Sequence, residues 1–228
     1  MTTPPKGRPP SPYLVPGFYD RALAEGRHRD IVGGRWEETG RIVIPVLQAE
    51  GLVPSDRVLD IGAGPLRLGR HIAGMVGAGD YWATDASHAL MQRGWEVELD
   101  PATRARLPAA NLIGDADFTF DGVPQDITFA LAFAVFTHLP RAALDRALPR
   151  LRARFPQLRR LLFTVFLAPE DAQGPFRQAD GVVTHPDRAP WHMAEGDVRA
   201  IAGAAGFATE RRDWRLPRGQ VLFVARPC

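Results

Sequence analysis

Cysteine and lysine are almost missing from this chain: Cys228 and Lys6 are the single examples among 228 residues. A lone cysteine excludes an internal disulfide framework and any cysteine-rich metal site. No apolar run approaches the length of a membrane span, and the opening MTTPPKGRPPSP lacks the apolar core of a secretory leader. A cytoplasmic location with no membrane partner is the expectation. An excess of one charge is also lacking, because 28 Lys+Arg stand against 26 Asp+Glu for a net charge of +2. That balance gives no electrostatic reason for a nucleic-acid partner. The densest basic patch, RLRARFPQLRR, falls near a predicted helix end, where cations complement the helix dipole, and it lacks interleaved aromatics on which bases could stack. No internal repeat is present.

What is there is ordinary for a globular protein: 45% hydrophobic and 24% charged residues, in a length that supports one substantial core. Residues 1–16 read as a disordered Pro-rich tail, 17–52 as an N-terminal helical cap broken at Gly33-Gly34, and 53–228 as the main domain. From RVLDIG onward, strands and helices alternate: helices are predicted over 65–76, 87–98, 140–154 and about 194–205. Near-continuous apolar strands such as DITFALAF and RRLLFTVFL mark a parallel sheet covered on both faces. The last two strands, FATERRDW and QVLFVARP, are joined by a Leu-Pro-Arg-Gly turn too short for anything but an antiparallel hairpin. The expected fold is therefore α/β: a three-layer Rossmann-like sheet of seven strands, mostly parallel, with one antiparallel strand from the C-terminal hairpin. In such sheets ligands bind beyond the carboxyl ends of the strands.

The stretch VLDIGAGPLRLGRHI, residues 58–72, carries the chemistry. Asp60 ends an apolar strand, Gly62 and Gly64 flank Ala63 in the turn, and Pro65 opens the next helix, where its missing N–H costs nothing. A dinucleotide fingerprint would need a third small residue at position 67, and Arg67 stands there instead. No Gly-Lys-Ser/Thr follows, so a triphosphate loop is excluded. The turn suits a small anion such as one carboxylate better than a pyrophosphate. Asp85 ends the next strand, about where an acid that grips ribose hydroxyls stands, and Asp115 ends the third. Together these suggest a nucleoside carrying an amino-acid tail.

By these motifs the chain resembles the class I S-adenosylmethionine-dependent methyltransferases, over roughly residues 36–226. The resemblance implies S-adenosyl-L-methionine as cofactor, with Asp60, Gly62, Ala63 and Gly64 at its methionine side. It implies Asp85 and Ala86 at the ribose, and Asp115 with the amide of Ala116 at the adenine, Asp117 being the competing acid. It places Ala130 to Phe133, the end of the fourth motif strand, beside the methyl-transfer site. The family's usual third glycine falls at Leu66 here, and Gly69 comes only later.

Methyl transfer needs two positioned reactants; a hydroxyl or carbon acceptor also needs a base, for which His138 and His192 are the leading candidates beside His185. Trp36 is a candidate lid residue. Phe176, Trp191 and His192 lie in a long loop, 169–193, suited to closing over a compact substrate. Each also has a plain structural reading, as a packed aromatic or a satisfied histidine. The histidines lack metal-ligand spacing, so no metal is expected. With no appended recognition domain, the expected acceptor is a small molecule and the expected assembly a monomer or homodimer. Other reactions of the same cofactor (intramolecular cyclisation, aminocarboxypropyl transfer) and a non-catalytic cofactor-binding module remain open, because the motifs report binding and not which carbon is attacked.

Overall fold

Alternate residues of the strand Val58–Ile61 face opposite ways into apolar surroundings, Leu59 and Ile61 to one core and Val58 to the other. A strand with no wet face must lie in the middle of the sheet, with helices on both sides. The computed structural model describes residues 11–15, 17–32 and 35–228. Its elements in chain order are α1 (Phe18–Ala24), α2 (Trp36–Ala49), β1 (Val58–Ile61), α3 (Gly69–Ile72), β2 (Tyr81–Asp85), α4 (His88–Glu98), α5 (Pro101–Arg106), β3 (Leu112–Gly114) and β4 (Phe129–Ala132). There follow α6 (Arg141–Arg154), β5 (Arg160–Leu167), β6 (Phe176–Arg177), β7 (Val183–Thr184), β8 (His192–Met193), α7 (Glu195–Ala204), β9 (Phe207–Arg212) and β10 (Val221–Pro227).

Seven strands lie side by side in the order β3-β2-β1-β4-β5-β10-β9. All neighbours run parallel except β10, which is antiparallel to both β5 and β9, as the short turn requires. One face packs on α6 and α7 through Leu144, Leu148, Leu151, Val198 and Ile201. The other packs on α2, α3 and α4 through Val43, Leu47, Ile72 and Met91. The strand order reverses at β1, so the crevice between the carboxyl ends of β1 and β4 is the switch point. No helix among the described residues is long and apolar enough to cross a membrane.

Three expectations change. The helix over 65–76 shrinks to the single turn Gly69–Ile72, because Leu66 takes a left-handed conformation (φ 62°) that a helix cannot include. The 169–193 loop has structure of its own: β6 and β7 form a small hairpin, and β8 lies parallel against the end of β5. Residues 11–15 do not belong to a tail. Pro12–Leu14 form a 3-10 turn, and the Tyr13 hydroxyl donates to the Ile31 carbonyl at 2.6 Å. Residues 1–10, Pro16 and the Gly33-Gly34 break lie outside the described residues. Of the expected cap, α2 is a core helix of the sheet, whereas α1 joins Tyr13, Ile31 and Leu90 of α4 in a separate small cluster.

Candidate active site

The turn after β1 is fixed by backbone bonds to its neighbour: the Thr84 carbonyl accepts from the amides of Gly62 (2.7 Å) and Ala63 (3.1 Å). Gly62 and Gly64 both have positive φ, and a Cβ on Gly62 would lie 2.5 Å from the Val135 side chain. Only glycine fits there. The Gly64 amide then donates to Asp85 Oδ2 at 2.9 Å, while the Ser87 amide donates to Oδ1 at 2.9 Å. Asp85 therefore splints the glycine turn to the start of α4 and keeps lone pairs for a further donor. Burial raises its pKa; the two amide bonds oppose that rise.

Asp60 is buried one residue before β1 ends, and the Tyr81 hydroxyl donates to its Oδ2 at 2.7 Å. Burial pushes its pKa up to about 7; the Tyr81 bond and the Arg67 charge hold it back, and the Asp85 charge adds to the rise. The Tyr81 hydroxyl has room because Gly69 carries no side chain: a Cβ there would lie 2.6 Å from that oxygen. Asp60, the glycine turn and Asp85 line a cavity of about 210 Å³. Its lining also includes Ala86, Asp115, Ala116 and Phe118, then Phe133, Ala134, Val135 and His138 after β4, and Tyr13, Tyr19, Ile31 and Val32 from the N-terminal segments.

No family model matches the chain, and no curated protein matches it. Solved structures do. Magnesium protoporphyrin IX methyltransferase from Synechocystis, with bound SAH, superposes with a TM-score of 0.64 at 17% identity, covering 92% of this chain and 96% of that one. The glycopeptide N-methyltransferase MtfA complexed with S-adenosyl-L-methionine gives 0.61 at 14% identity over 83% and 94%. Burkholderia thailandensis 1,6-didemethyltoxoflavin-N1-methyltransferase, with 1,6-didemethyltoxoflavin and S-adenosylhomocysteine bound, gives 0.58 at 19% identity over 92% and 85%. The chain has the class I methyltransferase fold.

On this methyltransferase fold the structure gathers Asp60, Gly62, Ala63, Gly64, Asp85, Ala86, Asp115, Ala116, Phe133 and His138 around one cavity. Asp115 shapes the wall more than it offers charge: its oxygens already accept from the amides of Asp117 (3.0 Å), Thr119 (3.2 Å) and Phe120 (2.8 Å). Asp117, its competitor, does not line the cavity. His138 is half-buried with its ring 5.1 Å from that of Tyr13. Burial, then the charges of Arg218 and Arg67, bring its pKa down to about 4, so it faces the cavity as a neutral imidazole at neutral pH.

Other expected residues lie elsewhere. Ala130 is in mid-strand opposite Leu59, fully buried in the core; β4 runs on to Ala132, so the residues at its carboxyl end that line the cavity are Phe133 to Val135. His192 is buried with Nδ1 2.9 Å from Thr184 Oγ1 and its ring edge-on to Phe176 at 6.4 Å, so this pair holds the β6–β8 loop together away from the cavity. Trp191, whose amide donates to the Thr137 carbonyl, and His185, bridged to it, belong to the same loop. Trp36 is buried at the start of α2 beneath the guanidinium groups of Arg29 and Arg70, 5.1 and 5.4 Å from its ring centre. In return the cavity takes in Tyr13, Tyr19 and Arg67, which sequence reasoning did not assign to it. Arg67 was legible as the large cation inside the glycine motif; Tyr13 carried no signal beyond an aromatic among prolines.

Proposed function

We propose that the protein binds S-adenosyl-L-methionine in the larger cavity and transfers its methyl group to a small-molecule acceptor. The observation that carries this reading is the convergence of a bare glycine turn and two buried acids, Asp60 and Asp85, at the sheet's switch point. These residues suit the cofactor chemically. Asp85 offers lone pairs beside the turn for a pair of ribose hydroxyls, and Asp60, whose pKa a neighbouring cation would lower from about 7, is placed to face a cationic methionine portion. Ala116 and Phe118 give an apolar wall for the adenine. The three methyltransferases named above, each with the cofactor or its demethylated product bound, support the same assignment.

When bound, the cofactor supplies an electrophilic methyl on a sulfonium, and the protein's part is positioning, exclusion of water and proton management. Phe133, Val135 and Leu139 make the acceptor side apolar. His138 stands there unprotonated and can take a proton from a hydroxyl acceptor; an amine or thiol already deprotonated needs no base.

Titration calorimetry with S-adenosyl-L-methionine and S-adenosylhomocysteine tests the cofactor assignment, and the absence of heat from both would refute it. Incubation with methyl-labelled cofactor and pooled metabolites, following the nucleoside by-product, tests the reaction. S-adenosylhomocysteine is expected; methylthioadenosine would mean that another carbon of the cofactor is attacked.

A further inference from the structure

Beside the main cavity lies a second, of about 50 Å³, which shares Arg67 and His138 with it. Its own polar walls are Arg35 and Thr39, from the start of α2, and Arg218 and Gln220, from the β9–β10 turn. Three arginines thus line one small space, Arg35 also pairing with Glu38 at 3.4 Å, and no carboxylate is among the described lining residues. Arg67 is nine-tenths buried and is aimed by a bond from Nη1 to the Val32 carbonyl at 2.9 Å. Gln220 receives the Thr164 hydroxyl on Oε1 at 2.7 Å, which leaves its amide N–H groups to donate. Arg35, Ala134 and Arg218 all hold left-handed backbone (φ 52°, 59° and 65°), a strained conformation in non-glycine residues. Three separate segments are held in that conformation around this one space.

We infer that this side cavity takes the anionic group of the acceptor, a carboxylate, and holds it beside His138. The inference rests on the proposed methyl transfer for the word acceptor, and on the arginine geometry for the word anion. Volume favours a small group: about 50 Å³ is a third of the roughly 150 Å³ cavity that takes benzene, and suits a carboxylate. Arginine forks match the two oxygens of a carboxylate. Because His138 borders both cavities, an acceptor anchored here presents its nucleophile a few bonds away, at the imidazole and the end of β4. The acceptor class is then a small carboxylic acid with a nearby hydroxyl, amine or thiol.

The test uses protein saturated with S-adenosylhomocysteine, titrated with acetate and, separately, inorganic phosphate against chloride at constant ionic strength. The His138 ring proton resonance, assigned with His138→Asn, is the reporter, since an anion among these arginines raises the imidazole pKa. A saturable shift with acetate is expected, weakened at least tenfold in both Arg218→Gln and Arg35→Gln. Phosphate binding tighter than acetate would overturn the carboxylate and replace it with a phosphate group. No saturable shift, or one unchanged in both variants, would overturn the anion site. An anion that binds the free protein and is expelled by S-adenosylhomocysteine would reassign the arginines to the cofactor's own carboxylate. Failure of S-adenosylhomocysteine to bind is read separately by calorimetry and sinks the cofactor assignment, while the acetate titration of the free protein still decides the anion site.

Discussion

Asp60 and His138 face one cavity, and burial moves their pKa values in opposite directions, to about 7 and about 4. Their effects on folding oppose each other in the same pH window. Between about pH 4 and 7 the folded state keeps a proton on Asp60 that the unfolded state has lost, so this group's stabilisation is lost as pH rises. Between about pH 4 and 6.5 the unfolded state protonates His138 and the folded state does not, so this term gains as pH rises. Relative to the natural protein, the melting temperature of ligand-free Asp60→Asn is expected to climb more steeply with pH across this window. His138→Asn is expected to fall more steeply. Thermal melts at half-unit pH steps check both, and unchanged slopes would mean that neither group titrates as described. Asp85 answers to a different measurement. Asp85→Ala removes a charged acceptor whose hydrogen bonds are worth about 1.5–3 kcal/mol each, so cofactor affinity is expected to drop roughly 10–100-fold or more. The variant's melting curve separates that loss from the loosened glycine turn, and unaltered affinity in a folded variant would remove Asp85 from the cofactor site.

Helix α4 approaches the glycine turn so closely that a Cβ on Gly94 would lie 2.2 Å from the Pro65 carbonyl oxygen. The close helix-to-turn packing that dinucleotide-binding folds obtain from a third motif glycine is here supplied from a different element. Gly94→Ala must push either the helix or the turn, at a cost of about 1–3 kcal/mol or more, and is expected to lower both the melting temperature and cofactor affinity. Gly203→Ala in α7, where nothing lies within 4 Å, is the control, expected to be neutral or stabilising by up to about 1 kcal/mol. Equal melting temperatures for the two variants would contradict this packing. Gly94 falls inside the predicted helix 87–98 and was not singled out, although a glycine within a helix usually has a packing reason. Its partner was not visible, because the contact joins residues 29 positions apart. The same limit explains α3: Pro65 suggested a helix start, and only the tertiary turn forces Leu66 out of helical backbone.

At the scale of the whole molecule, the sheet was the most legible part. Its central strands are apolar on both faces, and the β9–β10 turn is too short for a crossover, so patterning alone set the strand directions. The glycine-turn side of the cavity was legible too, since Asp60, Gly62, Gly64 and Asp85 all sit at or just beyond strand ends, where local sequence fixes position. The opposite side was not. Trp36, Phe176, Trp191 and His192 were chosen as conspicuous side chains in loops and helix starts, and none of them lines the cavity. The residues that line that side, Tyr13, His138 and Arg218, come from three segments whose meeting depends on how the chain folds back.

Tyr13 has a consequence in time rather than in affinity. Its hydroxyl ties the first described turn to Ile31, and Tyr13 and Ile31 both line the cavity. If ligands pass on this side, breaking that tie precedes both arrival and departure and slows the two equally. Tyr13→Phe keeps the ring and deletes the bond, a change of about 0.5–1.5 kcal/mol in the opening step. Stopped-flow measurement is therefore expected to show S-adenosylhomocysteine binding and dissociating about 2–10-fold faster, with the ratio of the two rates nearly constant. A change confined to the dissociation rate would instead make Tyr13 a ligand contact and not a latch.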